Sequence, residues 1–178
     1  MLDIFVIIWV VLFLSILAIA VYAFPAIAVV GPIPTPKKGI DNAVVLAKIK
    51  PGEKFYELGC SDGRVLVRTV EKYDCFGVGY ELVFPLCLLA KLRAKLSKKS
   101  KKIDIRCQNF FKADLRDADV IFCFLTFGLM QKLEKHFRKQ GLKENVRIIS
   151  YGFRIKNLEP EKFIKRNKEN WNIYLYKL

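Results

Sequence analysis

The chain has 178 residues, with 31 Lys and Arg against 17 Asp and Glu, and a net charge of +14. Its five cysteines, Cys60, Cys75, Cys87, Cys107 and Cys123, form no C-x-x-C pair, and His136 is the single histidine, so no zinc set and no metal are expected. Most of the cysteines lie in apolar runs and read as reduced core residues of a cytosolic domain.

No charged side chain occurs from Ile4 to Pro36. Ile4 to Phe24 is long enough to span a bilayer, since ~20 apolar helical residues cover ~30 Å. Trp9 and Tyr22 stand toward its two ends, where amphipathic aromatics favour the interface. Pro25 is expected to end or kink the helix. A cleaved signal peptide would want a basic start, and Met1-Leu2-Asp3 has none. Residues 1–30 are therefore expected to form a transmembrane anchor, residues 31–38 a stiff Pro-rich linker, and residues 39–178 one folded domain. Lys37, Lys38, Lys48 and Lys50 follow the span and no basic residue precedes it, which places the folded domain on the cytoplasmic side of a single-pass membrane protein.

A helix is expected from about Asp41 to Lys48, then a turn at Pro51-Gly52 and a strand from Glu53 to Leu58. Asp62 to Lys72 reads as a helix whose Val65, Leu66, Thr69 and Val70 suit packing on a sheet. A strand follows at Phe76–Glu81. Pro85 opens a helix to about Leu96, with Leu86, Leu89, Ala90 and Arg93 at helical spacing. Ser97 to Lys102 is a basic turn, and Ile103 to Gln108 a strand. Val120 to Leu125 is a continuous apolar run, as in a central parallel strand. Gly128 to Gln140 is a helix, and Val146 to Tyr151 a fifth strand. The tail alternates, which points to an antiparallel pair closing the sheet. Strands separated by helices make this an α/β chain with a Rossmann-like, doubly wound sheet.

The chemistry is concentrated in Glu57-Leu58-Gly59-Cys60-Ser61-Asp62-Gly63-Arg64 and Gly77-Val78-Gly79-Tyr80-Glu81. Each apolar run ends in an acid, and a small-residue loop follows the first. Ligands of open α/β sheets sit beyond the carboxyl ends of the strands. The loop lets a ligand approach the backbone, and Glu81 is placed to accept from ribose hydroxyls. The reading is an adenosine-containing cofactor. A dinucleotide fingerprint would be G-x-G-x-x-G over a pyrophosphate. Here Asp62 stands at the helix start, where a carboxylate repels a pyrophosphate but suits an ammonium or sulfonium.

This pattern resembles motif I of the class I methyltransferases, an acid-x-Gly-x-Gly-x-Gly loop, with Glu81 at that family's ribose-binding acid roughly 24 residues on. Ser61 departs from the family's second glycine, at a cost of about 1 kcal/mol if its φ is positive. The resemblance implies S-adenosyl-L-methionine as cofactor. It implies that Glu57 takes the ammonium end, that Gly59, Ser61 and Gly63 shape the loop, that Leu82 covers the adenine, and that Asn109-Phe110 contact its amino group and ring. The residues after the fourth strand, Phe122-Cys123-Phe124-Leu125-Thr126-Phe127, lack the polar Pro-Pro-Tyr-type motif of amino-base methyltransferases. Their apolar character suits a lysine stem, with Phe124 and Phe127 lining a channel.

Together with Pro34-Thr35-Pro36, Asp62-Gly63-Arg64, Tyr80-Glu81-Leu82 and Val146-Arg147-Ile148-Ile149-Ser150, the chain is similar to small membrane-anchored protein-lysine methyltransferases related to the ATP synthase c-subunit enzyme. In them the region of Thr35 closes over the cofactor. The function so implied is methyl transfer from S-adenosyl-L-methionine to a lysine of a protein, a membrane protein among the candidates. The alternatives are methylation of a small lipid-soluble molecule and a non-catalytic cofactor-binding module. No catalytic base is identified. The basic cluster Lys91, Arg93, Lys95, Lys98, Lys99, Lys101, Lys102 and Arg106 is expected to be solvated or to rest on anionic lipid, in preference to nucleic acid.

Overall fold

The computed structural model describes residues 4–29, 37–168 and 171–178, and the chain divides into two units, Met1–Pro34 and Thr35–Leu178. The first unit holds α1 (Ile4–Val29), whose helical backbone continues through Pro25 rather than ending there. Proline lacks the N–H of one intrahelical bond, but its φ is helical. The side chains of α1 are described at positions 4–19 and 21. The expected transmembrane span falls partly on positions whose side chains are not described, and among the described residues no helix is long and apolar enough to cross a membrane. Thr35 and most of the Pro-rich linker lie outside the described residues.

The second unit runs α2 (Lys37–Leu46), β1 (Lys54–Leu58), α3 (Arg64–Tyr73), β2 (Phe76–Glu81), α4 (Phe84–Leu96), β3 (Ile103–Cys107), β4 (Val120–Cys123), α5 (Phe127–Gln140), β5 (Arg147–Tyr151), β6 (Lys162–Ile164) and β7 (Ile173–Lys177). The strands form one sheet in the order β3-β2-β1-β4-β5-β7-β6. The first five pair in parallel, and β7 runs antiparallel between β5 and β6. The chain winds outward from β1 to β3, then crosses back to β4 on the other side of β1. This reversal opens a crevice at the carboxyl ends of β1 and β4, where α/β sheets bind ligands.

Alternation along the strands builds two cores. Phe55 and Phe122 point to the face covered by α2, α3 and α4, with Leu66, Val70 and Ala90. Tyr56, Leu58 and Ile121 point to the face covered by α5, with Met130, Leu133 and Phe137. Phe55, Leu58, Leu66 and Leu133 are fully buried, and each such side chain contributes about 1.5–3 kcal/mol. Arg147 ties the turn that follows α2 to the sheet, donating to the carbonyls of Ala47 at 2.5 Å and Lys48 at 3.0 Å. Asp41 on α2 is held to α3 by Arg68 at 2.6 Å.

The expectation of reduced cysteines is corrected. Cys87 and Cys107 form a disulfide, while Cys60, Cys75 and Cys123 are free and buried. The two cysteines stand 20 residues apart, and packing of α4 beside β3 brings their Cα atoms to 5.6 Å, within bridging range. On α4 the buried side is Cys87, Ala90 and Ala94, whereas Leu89 and Arg93 face out. Small side chains let α4 approach the sheet closely, so the helix turns its leucines away from it.

Candidate cofactor and active site

The β1–α3 loop is folded back on β2 by its own backbone. The N–H groups of Gly59 and Cys60 both donate to the Tyr80 carbonyl, at 2.9 and 2.8 Å. Gly63 N–H donates to the Cys60 carbonyl at 2.8 Å. The loop alternates through left-handed conformations, with φ of 77° at Gly59, 50° at Ser61 and 74° at Gly63. Ser61 thus occupies the geometry that glycine adopts without strain, at about 1–2 kcal/mol. Glycine is also required by space. A Cβ on Gly59 would come within 2.8 Å of Leu125 Cδ2, and one on Gly79 within 2.9 Å of Cys60 Sγ. The loop after β1 and the tip after β4 therefore meet at Gly59 and Leu125.

Glu57 and Glu81 are buried, at 4% and 7% exposure. Burial pushes the Glu57 carboxyl well above the usual range, opposed by the Leu66 N–H and reinforced by the charges of Asp62 and Glu81. Glu57 Oε2 has no hydrogen-bond partner among the described residues. An unpartnered buried carboxylate oxygen is costly unless a cation or donor meets it, and the ammonium of S-adenosyl-L-methionine is such a group. Glu81 is held on both oxygens: Oε2 accepts from Ser61 N–H and Oε1 from Val83 N–H, each at 2.8 Å. A carboxylate has about four acceptor positions, so Glu81 keeps capacity for two ribose hydroxyls. Leu82 beside it is 70% exposed. The residues present fit the cofactor.

Asp62 is placed differently from the sequence expectation. Its buried carboxylate is taken by Arg64, with Nη2 at 2.8 Å, and by Arg93 Nη2 at 2.8 Å. Arg93 Nε also donates to the Asp62 carbonyl at 2.8 Å. Burial raises the Asp62 pKa, but the Arg64 hydrogen bonds and the two guanidinium charges outweigh it, and the net shift is downward. Asp62 is an internally neutralised clamp on the loop, not a free carboxylate facing an ammonium. Asp62-x-Arg64 is a legible local pair, whereas Arg93, 31 residues away, gave no signal in the sequence.

Asn109 caps the short 3-10 turn Phe110–Lys112, its Oδ1 accepting from Phe111 N–H at 3.0 Å. Its amide N–H groups and one oxygen lone pair remain for adenine. Phe110 is buried and packs against Phe111 with the rings tilted by 39° and their centroids 4.4 Å apart. Burial lowers the His136 pKa, Lys139 adds to this, and the ring packs edge-on against Phe111.

Beyond β4 the walls are aromatic. Phe124 meets Tyr151 edge-on at 5.1 Å, and Phe127 meets Phe153 at 5.9 Å. Phe127 is 61% exposed at the start of α5. Residues 122–127 contain no carboxylate, histidine or lysine.

Comparison with known proteins agrees with this geometry. The profile of the ANTKMT methyltransferase domain matches residues 57–162, more than half of the chain. A protein-lysine N-methyltransferase of Saccharolobus islandicus (strain REY15A) is 29% identical over 147 residues, covering 81% of this chain and 91% of that protein. The mouse adenine nucleotide translocase lysine N-methyltransferase is 28% identical over 121 residues, covering 68% of this chain but 52% of the mouse protein. Among solved structures, an RNA methyltransferase from Salinibacter ruber in complex with S-adenosyl-L-homocysteine superimposes with a TM-score of 0.76 at 27% identity, over 82% of this chain and 93% of that one. With its switch-point crevice, its left-handed glycine loop and the buried Glu57 and Glu81, the chain belongs to the ANTKMT methyltransferase-domain family and is a class I methyltransferase dependent on S-adenosyl-L-methionine.

Proposed function

We propose that the chain methylates a lysine ε-amine of a protein. The observation that carries this is the contact of the cofactor loop at Gly59 with Leu125 in the wholly uncharged β4 tip. When bound, the cofactor supplies an electrophilic methyl group on a sulfonium, open to displacement by an unprotonated amine. Glu81 would hold the ribose, Glu57 the ammonium end, and the Gly59–Gly63 loop the backbone approach. Phe124, Leu125 and Phe127 would receive the substrate. An apolar, water-poor wall disfavours an ammonium and lowers a lysine's pKa, so desolvation does the work that a general base would otherwise do. Aromatic faces also attract the cationic methylated product. The lysine methyltransferase activities of the Saccharolobus and mouse relatives support the lysine reading.

We also propose that the uncharged segment from Ile4 anchors the chain in a membrane, with the lysines that follow it on the cytoplasmic side. This favours a substrate in or near a bilayer. The test is to incubate the purified chain with isolated membranes and S-adenosyl-L-methionine labelled in the methyl group. Label recovered as methyl-lysine after protein hydrolysis supports the reading. Label confined to extracted lipid or to RNA refutes it.

A further inference from the structure

Helix α4 buries one side and leaves another apolar side in water. Cys87, Ala90 and Ala94 face the sheet. At 100° per residue, Leu88, Leu92, Leu96 and Leu89 fall on the opposite side, and they are 49%, 54%, 77% and 44% exposed. A helix apolar on both sides is normally covered on both. The row is convex, running along a helix beside β3, which is the edge strand of the sheet.

Lysines flank this row on the β3 side. An open depression of about 340 Å³ lies between α4 and β3, floored by Ile103 and Ile105 and rimmed by Lys91, Lys95 and Lys101. The other basic groups of the region are taken: Lys99 and Lys102 by Asp74, Arg106 by Asp104, and Arg93 by Asp62. Lys91, Lys95, Lys98 and Lys101 have no acidic partner among the described residues. Outward leucines beside a bank of unpaired lysines are the pattern of a helix lying in the headgroup plane, with alkyl stems on the acyl boundary and ammonium groups on phosphate.

We propose that the outer face of α4 rests on an anionic lipid surface, with lipid phosphate seated among Lys91, Lys95 and Lys101. This rests on the reading that the chain works at a membrane, and it adds a purpose to the fold. The Cys87–Cys107 disulfide pins α4 to the end of β3, and Arg93 on the same helix clamps Asp62 of the cofactor loop. A helix seated on lipid would therefore hold the cofactor crevice close to the bilayer surface, selecting lysines that emerge just above it.

The test uses the full chain in nanodiscs of pure phosphatidylcholine or with phosphatidylglycerol added. Lysine acetylation by a water-soluble reagent is followed site by site by mass spectrometry. The expected result is labelling of Lys91, Lys95 and Lys101 slowed at least about five-fold by phosphatidylglycerol, the scale of one lysine at an anionic surface. Lys132 and Lys135 on α5 should be unaffected. A Leu88→Ser, Leu92→Ser variant should lose the protection, and because both leucines are exposed its fold should survive, which circular dichroism checks. Equal rates in the two discs overturn the proposal. So does protection that rises with protein concentration, which would mean a second copy covers the face, or protection by added RNA and not by anionic discs. If the chain loads onto discs but its lysines label freely, only the α4 proposal falls. If it does not load at all, the membrane reading falls with it.

Discussion

Gly63 and Gly52 offer a matched pair of perturbations. Both have positive φ, 74° and 80°, so alanine at either meets the same backbone strain. That strain is about 1–2 kcal/mol, reduced by about 0.5–1 kcal/mol because alanine restricts the unfolded chain. Gly52 has nothing within 4 Å of its would-be Cβ. At Gly63 that Cβ would lie 3.1 Å from Ala90 Cβ and 3.2 Å from Ala90 Cα, and a backbone atom cannot rotate aside. α3 and α4 would have to separate, an overpacking cost of about 1–3 kcal/mol. Gly52→Ala should therefore cost about 1 kcal/mol and Gly63→Ala about 2–4 kcal/mol. In urea, with m near 2 kcal/mol/M, the two midpoints should differ by about 0.5–1.5 M. Only Gly63→Ala should also weaken cofactor binding, since only it moves the loop. Equal midpoints would refute the idea that close approach of α4 shapes the cofactor loop.

Other expectations follow from the same geometry. Arg93→Ala removes two hydrogen bonds to Asp62 from a half-exposed guanidinium and should cost about 1 kcal/mol with a several-fold loss of cofactor affinity, read by denaturation and calorimetry; an unchanged affinity would remove the clamp. Reducing Cys87–Cys107, which closes a loop of about 20 residues, should cost about 3 kcal/mol and lower Tm by about 6–12 °C, checked by thermal melts with and without reductant. The Glu57 carboxyl has a folded pKa raised above its ordinary 4.5, so the folded chain keeps a proton that the unfolded chain has released. Its contribution is complete below pH 4.5 and is lost as pH rises through the folded pKa. Glu57→Gln should flatten that decline in a pH series of urea midpoints; an identical slope would exclude Glu57 as its source.

Much of the fold is legible because it rests on local periodicity. The β2 limits at Phe76 and Glu81, the apolar run of β4 and the alternating tail all follow from side-chain patterns that the sheet enforces. The acids at the strand tips and the glycine loop are legible for the same reason: their roles are set by neighbours in sequence. What was hidden depends on distant residues. Nothing near Asp62 announces Arg93, and nothing near Cys87 announces Cys107. The rotation of α4 follows from Cys87, Ala90 and Ala94 being small enough to let the helix close on the sheet, whereas a rule that buries the largest apolar residues chooses its leucines. Asn109 offers an acceptor suited to the adenine amino group, and the structure uses that acceptor first to cap a turn.

The most direct test of the central claim is calorimetric titration of S-adenosyl-L-methionine into the folded chain, with Glu81→Ala and Glu81→Gln beside it. Two hydrogen bonds from ribose to a carboxylate are worth about 3 kcal/mol or more, so the variants should bind at least about 100-fold more weakly while remaining folded. A folded chain that does not bind the cofactor, or a Glu81→Gln variant that binds it unchanged, would contradict the assignment.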